Sequence, residues 1–200
     1  MSKALLIIDM QQYVVARINK GIDHYPHNAM TNMTALLRTF RDNAQPVIHI
    51  RHHSPAEGSL LHPDSPLSQV IADFAEKPSE AVFIKHTSSS FSSTGLQDYL
   101  ARQQISECVV MGAVAGFCVN STVRAGADLG LEMTVVSDAV ISFGLADAGQ
   151  DAKTIFEVTM ALLRADFARV ATSQEIKAEI LTAGGENQES RPGQTEAKRA

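Results

Sequence analysis

Residues 107–130 read Glu-Cys-Val-Val-Met-Gly-Ala-Val-Ala-Gly-Phe-Cys-Val-Asn-Ser-Thr-Val-Arg-Ala-Gly-Ala-Asp-Leu-Gly, and the rest of the chain arranges itself around this stretch. Cys108 to Met111 is a short apolar run with β-branched residues, and Gly112 to Gly116 is a run of small ones. After it Val119, Val123, Ala127 and Leu129 recur on one side, while Asn120, Arg124 and Asp128 fall on another. The pattern predicts a strand, a tight turn and an amphipathic helix stopped at Gly130. Cys118 then stands where the helix begins. Unpaired backbone N–H groups and the positive end of the helix dipole favour thiolate over thiol there, which is how a cysteine becomes a nucleophile. The same N–H groups stabilise an oxyanion by about 3 to 4 kcal/mol per donor. The competing reading is a buried structural cysteine, because free Cys is among the most buried residue types.

Upstream, Ala4 to Ile8 is apolar without alternation, as in a parallel strand covered on both faces, and Asp9 closes it. Residues 28–43 carry Met30, Met33, Leu36, Leu37 and Phe40 at helical spacing, and residues 47–50 make a second strand, followed by Arg51, His52 and His53. Residues 59–80, with three prolines, predict a loop with one short helix at 67–74. Residues 81–84 form a third strand closed by Lys85, and 86–95 form a serine-rich polar loop holding Phe91. Downstream the reading is helix 96–103, then the quoted stretch, then a strand 133–136 ending in Ser137-Asp138-Ala139. A helix 148–167, an edge strand 170–172 and a helix 175–181 follow.

Strand and helix alternate throughout. The expectation is an α/β fold, a three-layer α/β/α sandwich with a mostly parallel, Rossmann-like sheet of about five to six strands. One domain is expected over 1–183, and 184–200, with no apolar side chain larger than alanine, as a disordered tail.

Composition narrows the function. With 44% hydrophobic residues, a formal charge of −5 and no basic stripe, nucleic acid is an unsuited partner. No apolar run reaches membrane-spanning length and the N-terminus meets Asp9 too early for a signal peptide, so the expected compartment is cytoplasmic, with no membrane partner. Two cysteines without a CxxC pair suggest neither zinc nor a structural disulfide.

Open α/β sheets bind ligands beyond the carboxyl ends of their strands, and Asp9, Lys85 and Cys118 each close or follow a strand. They are an acid, an amine and a thiol. A carboxylate can take the thiol proton, and an ammonium between them keeps the carboxylate charged and stabilises the thiolate. His52 and His53, with His62 and Asp64, raise a metal reading. Adjacent strand residues point to opposite faces, which counts against it, and His53 is read instead as lining a pocket or satisfied in the core.

With those motifs in order, the chain resembles the isochorismatase-like cysteine hydrolase family, which includes nicotinamidases, carbamoylsarcosine amidohydrolase and streptothricin hydrolase. The matching pieces are Leu5 to Gln11, Phe83-Ile84-Lys85 with Phe91 to Leu96, Gly112 through Cys118 to Ala125, Ser137-Asp138-Ala139 and Phe167 to Val170. The resemblance implies Asp9 as general base, Lys85 as orienting cation and Cys118 as nucleophile. It also implies a cis Ala113–Val114 peptide, with the N–H groups of Val114 and Cys118 as oxyanion hole. The implied reaction is hydrolysis of an amide, ureide or lactam C–N bond of a small molecule through a thioester, with no organic cofactor, in a homo-oligomer. Ala115 stands where many relatives have threonine, and Arg51-His52-His53 does not reproduce the Asp-x-His of metal-binding nicotinamidases, so no metal is expected. Gln11, Tyr13, His53, Phe91 and Phe117 are the candidates for a substrate wall. The alternatives are an isochorismatase-type ether hydrolase and a thiol redox or binding module on the same fold.

Overall fold

The computed structural model describes residues 2–189. Seven strands and six α-helices make one sheet with helices on both faces. In chain order they are β1 (Ser2–Ile8), α1 (Gln12–Asn19), β2 (His24–Tyr25), α2 (Ala29–Asp42), β3 (Val47–His52), β4 (Ala81–Lys85), α3 (Leu96–Arg102), β5 (Ile105–Ala113), α4 (Asn120–Asp128), β6 (Glu132–Phe143), α5 (Ala152–Asp166), β7 (Arg169–Ala171) and α6 (Ser173–Glu189). The sheet order is β2-β6-β5-β1-β3-β4, with β7 also paired to β6. Only β2 runs antiparallel. No helix among the described residues is long and apolar enough to cross a membrane.

Strand alternation builds two cores. Leu5, Ile7, Val109 and Met111 face one side with Val14 of α1, five residues of α2 including Met33 and Phe40, and Ile176 and Ile180 of α6. Leu6, Ile8, Ile48, Ile50 and Val110 face the other with Leu96 and Leu100 of α3, Val123 of α4, and Phe156, Met160 and Leu163 of α5. Period two in the strands thus serves both helical layers, which explains why the strands read as unbroken apolar runs.

Three expectations are corrected. The sheet has one strand more than five to six, because the two-residue β2 carries no pattern of its own and exists only by pairing His24 and Tyr25 with Phe143 and Ser142. Ser137-Asp138-Ala139 does not end a strand at 136. β6 continues to Phe143 across a slip in register, Val110 pairing with Val135 but Gly112 with Val140. The polar pair sits in that bulge because Asp138 has a task outside the ladder: its carboxylate accepts from Ser173 N–H (2.6 Å) and Ser173 Oγ (2.8 Å) at the start of α6. Finally, α6 runs through Glu189 instead of ending at 181, and the rest of the expected tail lies outside the described residues.

Gly112 is where β5 comes closest to β1. Its φ is 124°, and a Cβ there would stand 2.1 Å from the Ile8 carbonyl oxygen, so only glycine fits beside the residue that precedes Asp9.

Candidate active site

Asp9, the first residue beyond β1, has a left-handed backbone (φ 52°), unusual outside glycine and tolerated best by Asp and Asn. Its N–H donates to the Ile50 carbonyl at 3.0 Å, so β3 holds it in place. Lys85 is the last residue of β4 and is fully buried. Cys118 rides on a wide helical turn, residues 115–119, between β5 and α4. The Val114 carbonyl accepts from Phe117 N–H (3.0 Å) and Val119 N–H (3.3 Å), which rolls the chain over at that point, and the Ala113–Val114 peptide is cis.

These elements bring the three residues together. Lys85 Nζ lies 2.8 Å from Asp9 Oδ2 and 3.2 Å from Cys118 Sγ. Two further acceptors close around it, His52 Nδ1 at 2.9 Å and the Thr87 carbonyl at 3.3 Å. Four acceptors surround its three N–H groups, so none of them is buried without a partner.

The charges of its neighbours follow from burial. Asp9 is held above the usual carboxylate range, because losing water outweighs the pull of Lys85. Its Oδ1 has no partner. The Cys118 thiol is pushed up to about 12, first by burial and then by the Asp9 carboxylate, with Lys85 pulling the other way and losing. Here the sequence-based expectation is corrected: a cysteine before a helix predicts a thiolate, but the buried sulfur beside an acid keeps its proton at rest. His52 is pushed down to about 4 by burial and by the Lys85 cation. It is neutral, and because an ammonium can only donate, Nδ1 accepts and the imidazole proton sits on Nε2.

His52 completes the set, where the sequence alone points to His53. Its register partner across β3 and β4 is Lys85. The signal was present: Ile48 and Ile50 point to the same core face as Ile8, and period two carries that face on to His52, not His53. His53 contributes backbone, donating N–H to the Lys85 carbonyl (3.0 Å) and accepting from His86 Nδ1 (2.8 Å). His62 pairs locally with Asp64 (3.5 Å).

The other wall candidates scatter. Gln11 is buried, and its amide is engaged with backbone: Nε2 donates to the carbonyls of His52 (3.0 Å) and Ser68 (2.6 Å), and Oε1 accepts from His52 N–H (2.9 Å). It positions His52 and has no N–H left for a substrate. Tyr13 Oη accepts from Arg17 (2.9 Å), whose guanidinium stacks on Phe143. Phe91 packs into the core beside α4, where a Cβ on Gly126 would come 3.2 Å from its ring. Phe117 is 51% exposed, directly before Cys118. A cavity of about 550 Å³ bounded by Lys3, Cys108, Leu131 and Arg169 opens at the opposite end of the strands and touches none of the Asp9–Lys85–Cys118 set.

What this cluster can do chemically is acyl transfer: a nucleophilic sulfur, a carboxylate able to take its proton, and a fixed cation between them. Against known proteins, an isochorismatase domain model matches residues 3–175. The isochorismatase family protein YrdC of Bacillus subtilis is 29% identical over 180 residues, covering 87% of this chain and 94% of its own. Nicotinamidase 3 of Arabidopsis thaliana is 26% identical over 192 residues, covering 89% and 88%. A crystal structure from Chromobacterium violaceum, described as of the isochorismatase family, superposes with a TM-score of 0.84 at 29% identity, covering 90% of this chain and 94% of that one.

Proposed function

The chain belongs to the isochorismatase family of hydrolases, and from that premise we propose that it cleaves a C–N bond of a small molecule, an amide, ureide or lactam, with Asp9, Lys85 and Cys118 as catalytic triad. The observation that carries this reading is the buried Lys85 ammonium within 2.8 Å of the acid and 3.2 Å of the thiol. A similarity to a protein named a nicotinamidase supports the amide branch.

The thiol rests protonated beside the Asp9 carboxylate, with Lys85 Nζ bonded to both. Proton transfer to the carboxylate therefore accompanies attack of sulfur on the substrate carbonyl. The raised affinity of Asp9 for a proton narrows the gap between acid and thiol, which is what a general base for a buried thiol requires. Lys85 keeps its charge and compensates the anion at each stage. N–H groups at Val114 and Cys118 receive the oxyanion. Asp9 then passes its proton to the leaving nitrogen, the C–N bond breaks, and a thioester remains on Cys118. Water gives a proton to Asp9 and its oxygen to the acyl carbon, and the sulfur leaves with the proton that restores the resting thiol.

The test is an ammonia- and amine-release screen over amides, ureides, carbamoyl compounds and lactams, run on the wild type and Cys118→Ala. Turnover in the wild type that disappears in the variant supports the proposal. Turnover that survives in a folded Cys118→Ala protein, or release of product from a vinyl ether only, overturns it.

A further inference from the structure

Three donors of different chemistry converge on one point beside the sheet. A carboxylate oxygen of Asp9, a ring nitrogen of His52 and the sulfur of Cys118 lie within 4.8 Å of one another. The Lys85 nitrogen sits among them, at 2.8, 2.9 and 3.2 Å respectively. Each donor is supplied separately: Asp9 by the end of β1, His52 by the end of β3, and Cys118 by the turn after β5. Gln11 clamps the His52 backbone from both sides, and the unpartnered Asp9 Oδ1 adds a buried oxygen to the same set.

We propose that Asp9, His52 and Cys118 form a latent site for a thiophilic divalent cation of the Zn2+ class, whose position the Lys85 ammonium occupies, so that such an ion binds and inhibits only by displacing Lys85. The donor set selects the ion. One sulfur, one imidazole nitrogen and one carboxylate suit zinc or cobalt and are poor for magnesium or calcium, which take oxygen. The geometry is close to what zinc needs. Zn–N and Zn–O bonds of about 2.0 to 2.1 Å and a Zn–S bond of about 2.3 Å ask each donor to close by about 1 Å on the point where Nζ stands. A fourth position is left for water.

Two cations cannot share that point. Lys85 is fully buried, so expelling its nitrogen leaves a charged group without its acceptors or forces its side chain out of the core. In the wild type this opposes metal binding. Removing the amine leaves the three donors facing a gap with an excess of negative charge, which is a cation site. The built-in ammonium therefore serves the hydrolytic cluster as its cation and guards the thiol against adventitious metal.

The test uses the full chain as wild type, Lys85→Ala and Lys85→Met, and the Lys85→Ala protein further carrying Cys118→Ser or His52→Gln. Zn2+ affinity is measured by competition with a chromophoric chelator, and Co2+ is added separately to read thiolate ligation as a near-ultraviolet charge-transfer band. Circular dichroism identifies the folded variants. The expected result is one Zn2+ per chain in Lys85→Ala or Lys85→Met, at least about 100-fold tighter than in the wild type, with both the gain and the cobalt band lost on adding Cys118→Ser. His52→Gln lowers the affinity in the same background. In the wild type, Zn2+ in excess slows alkylation of Cys118, and Mg2+ at the same concentration does not. A folded Lys85 variant that binds zinc no tighter than the wild type overturns the proposal, as does a gain that survives Cys118→Ser. If neither Lys85 variant folds, the alkylation experiment decides, and absence of zinc protection overturns it. None of these readouts involves turnover, so they stand apart from the assignment of an amide substrate.

Discussion

Two clusters in this molecule are built from nearly the same parts and behave in opposite ways. At the ends of β1, β3 and β4 stand Asp9, His52 and Lys85, with Cys118 beside them. Earlier along β3 stand His49, Arg41 of α2 and Glu80, just before β4. In the second cluster the acid is saturated. Glu80 Oε1 accepts from Arg41 Nε (2.8 Å), and Oε2 accepts from Arg41 Nη2 (2.8 Å), the Lys77 N–H (2.9 Å) and the His49 ring (2.8 Å). Those donors hold its carboxyl down to about 2 although burial pushes the other way. Asp9 has one ammonium on one oxygen and no partner on the other, and burial wins. A saturated carboxylate fastens α2 to the sheet. An under-saturated one, next to a thiol, keeps an appetite for a proton.

Removing each acid exposes the difference most strongly. Cys118→Ala and Asp9→Asn should each lower turnover by at least about 10⁴-fold, in proteins that remain folded. Asp9→Asn carries a second, opposite effect: because the Asp9 charge helps to hold the thiol proton on, alkylation of Cys118 at pH 8 should become faster, by about tenfold, while hydrolysis disappears. Slower alkylation in that variant would mean that Asp9 does not act on the sulfur.

Glu80→Gln is the mirror image. Turnover should stay within a few-fold of wild type, and the protein should lose about 3 kcal/mol in urea unfolding, because Arg41 is left half-buried without its charge partner. The two acids also tilt stability in opposite senses with pH. Glu80, lowered from 4.5 to about 2 in the fold, stabilises above its unfolded pKa, and that contribution is lost as pH falls from about 4.5 towards 2. Asp9, raised above 3.8, binds its proton more tightly when folded, so its contribution is present at low pH and is lost as pH rises above 3.8. Unfolding midpoints between pH 2.5 and 6 should therefore fall less steeply on acidification in Glu80→Gln than in the wild type, and more steeply in Asp9→Asn. Parallel curves for all three proteins would break the comparison.

The two histidines beside Lys85 give a smaller contrast. His52→Asn should lower kcat by about 10- to 100-fold, because Lys85 loses the acceptor that points its nitrogen at Asp9 and Cys118, whereas His53→Asn should change it by less than about threefold. Equal effects would return the pair to the ambiguity they have in the sequence. The smallest expected effect is on Phe117, which precedes Cys118 but is half exposed: Phe117→Ala should shift stability by no more than about 0.5 kcal/mol, and any loss of activity should appear in KM.

How much of this was readable beforehand depends on the length of the pattern that carries each residue. Asp9 and Lys85 each close an apolar run of four or five residues, and Cys118 follows another, Cys108 to Met111, across a turn of small residues; such runs announce strands, whose carboxyl ends a parallel sheet gathers along one edge. The two-residue β2 and the bulge at Ser137–Asp138 have no run to announce them. Their positions depend on partners far away in sequence, Phe143 for β2 and Ser173 for Asp138. Gln11 reads as a pocket residue because an amide two positions after Asp9 is free in a linear reading, and only the fold shows the His52 and Ser68 carbonyls that consume its donors.

By itself, then, the sequence determined the alternating α/β architecture and which acid, amine and thiol would share an edge, since hydrophobic periodicity and strand ends are local properties of the chain. The tertiary structure alone decided that His52 completes the set, that Gln11 holds it, and that the thiol keeps its proton. Those outcomes depend on the distance between groups on different strands and on how much water each has lost, and neither quantity is written in any single stretch of residues.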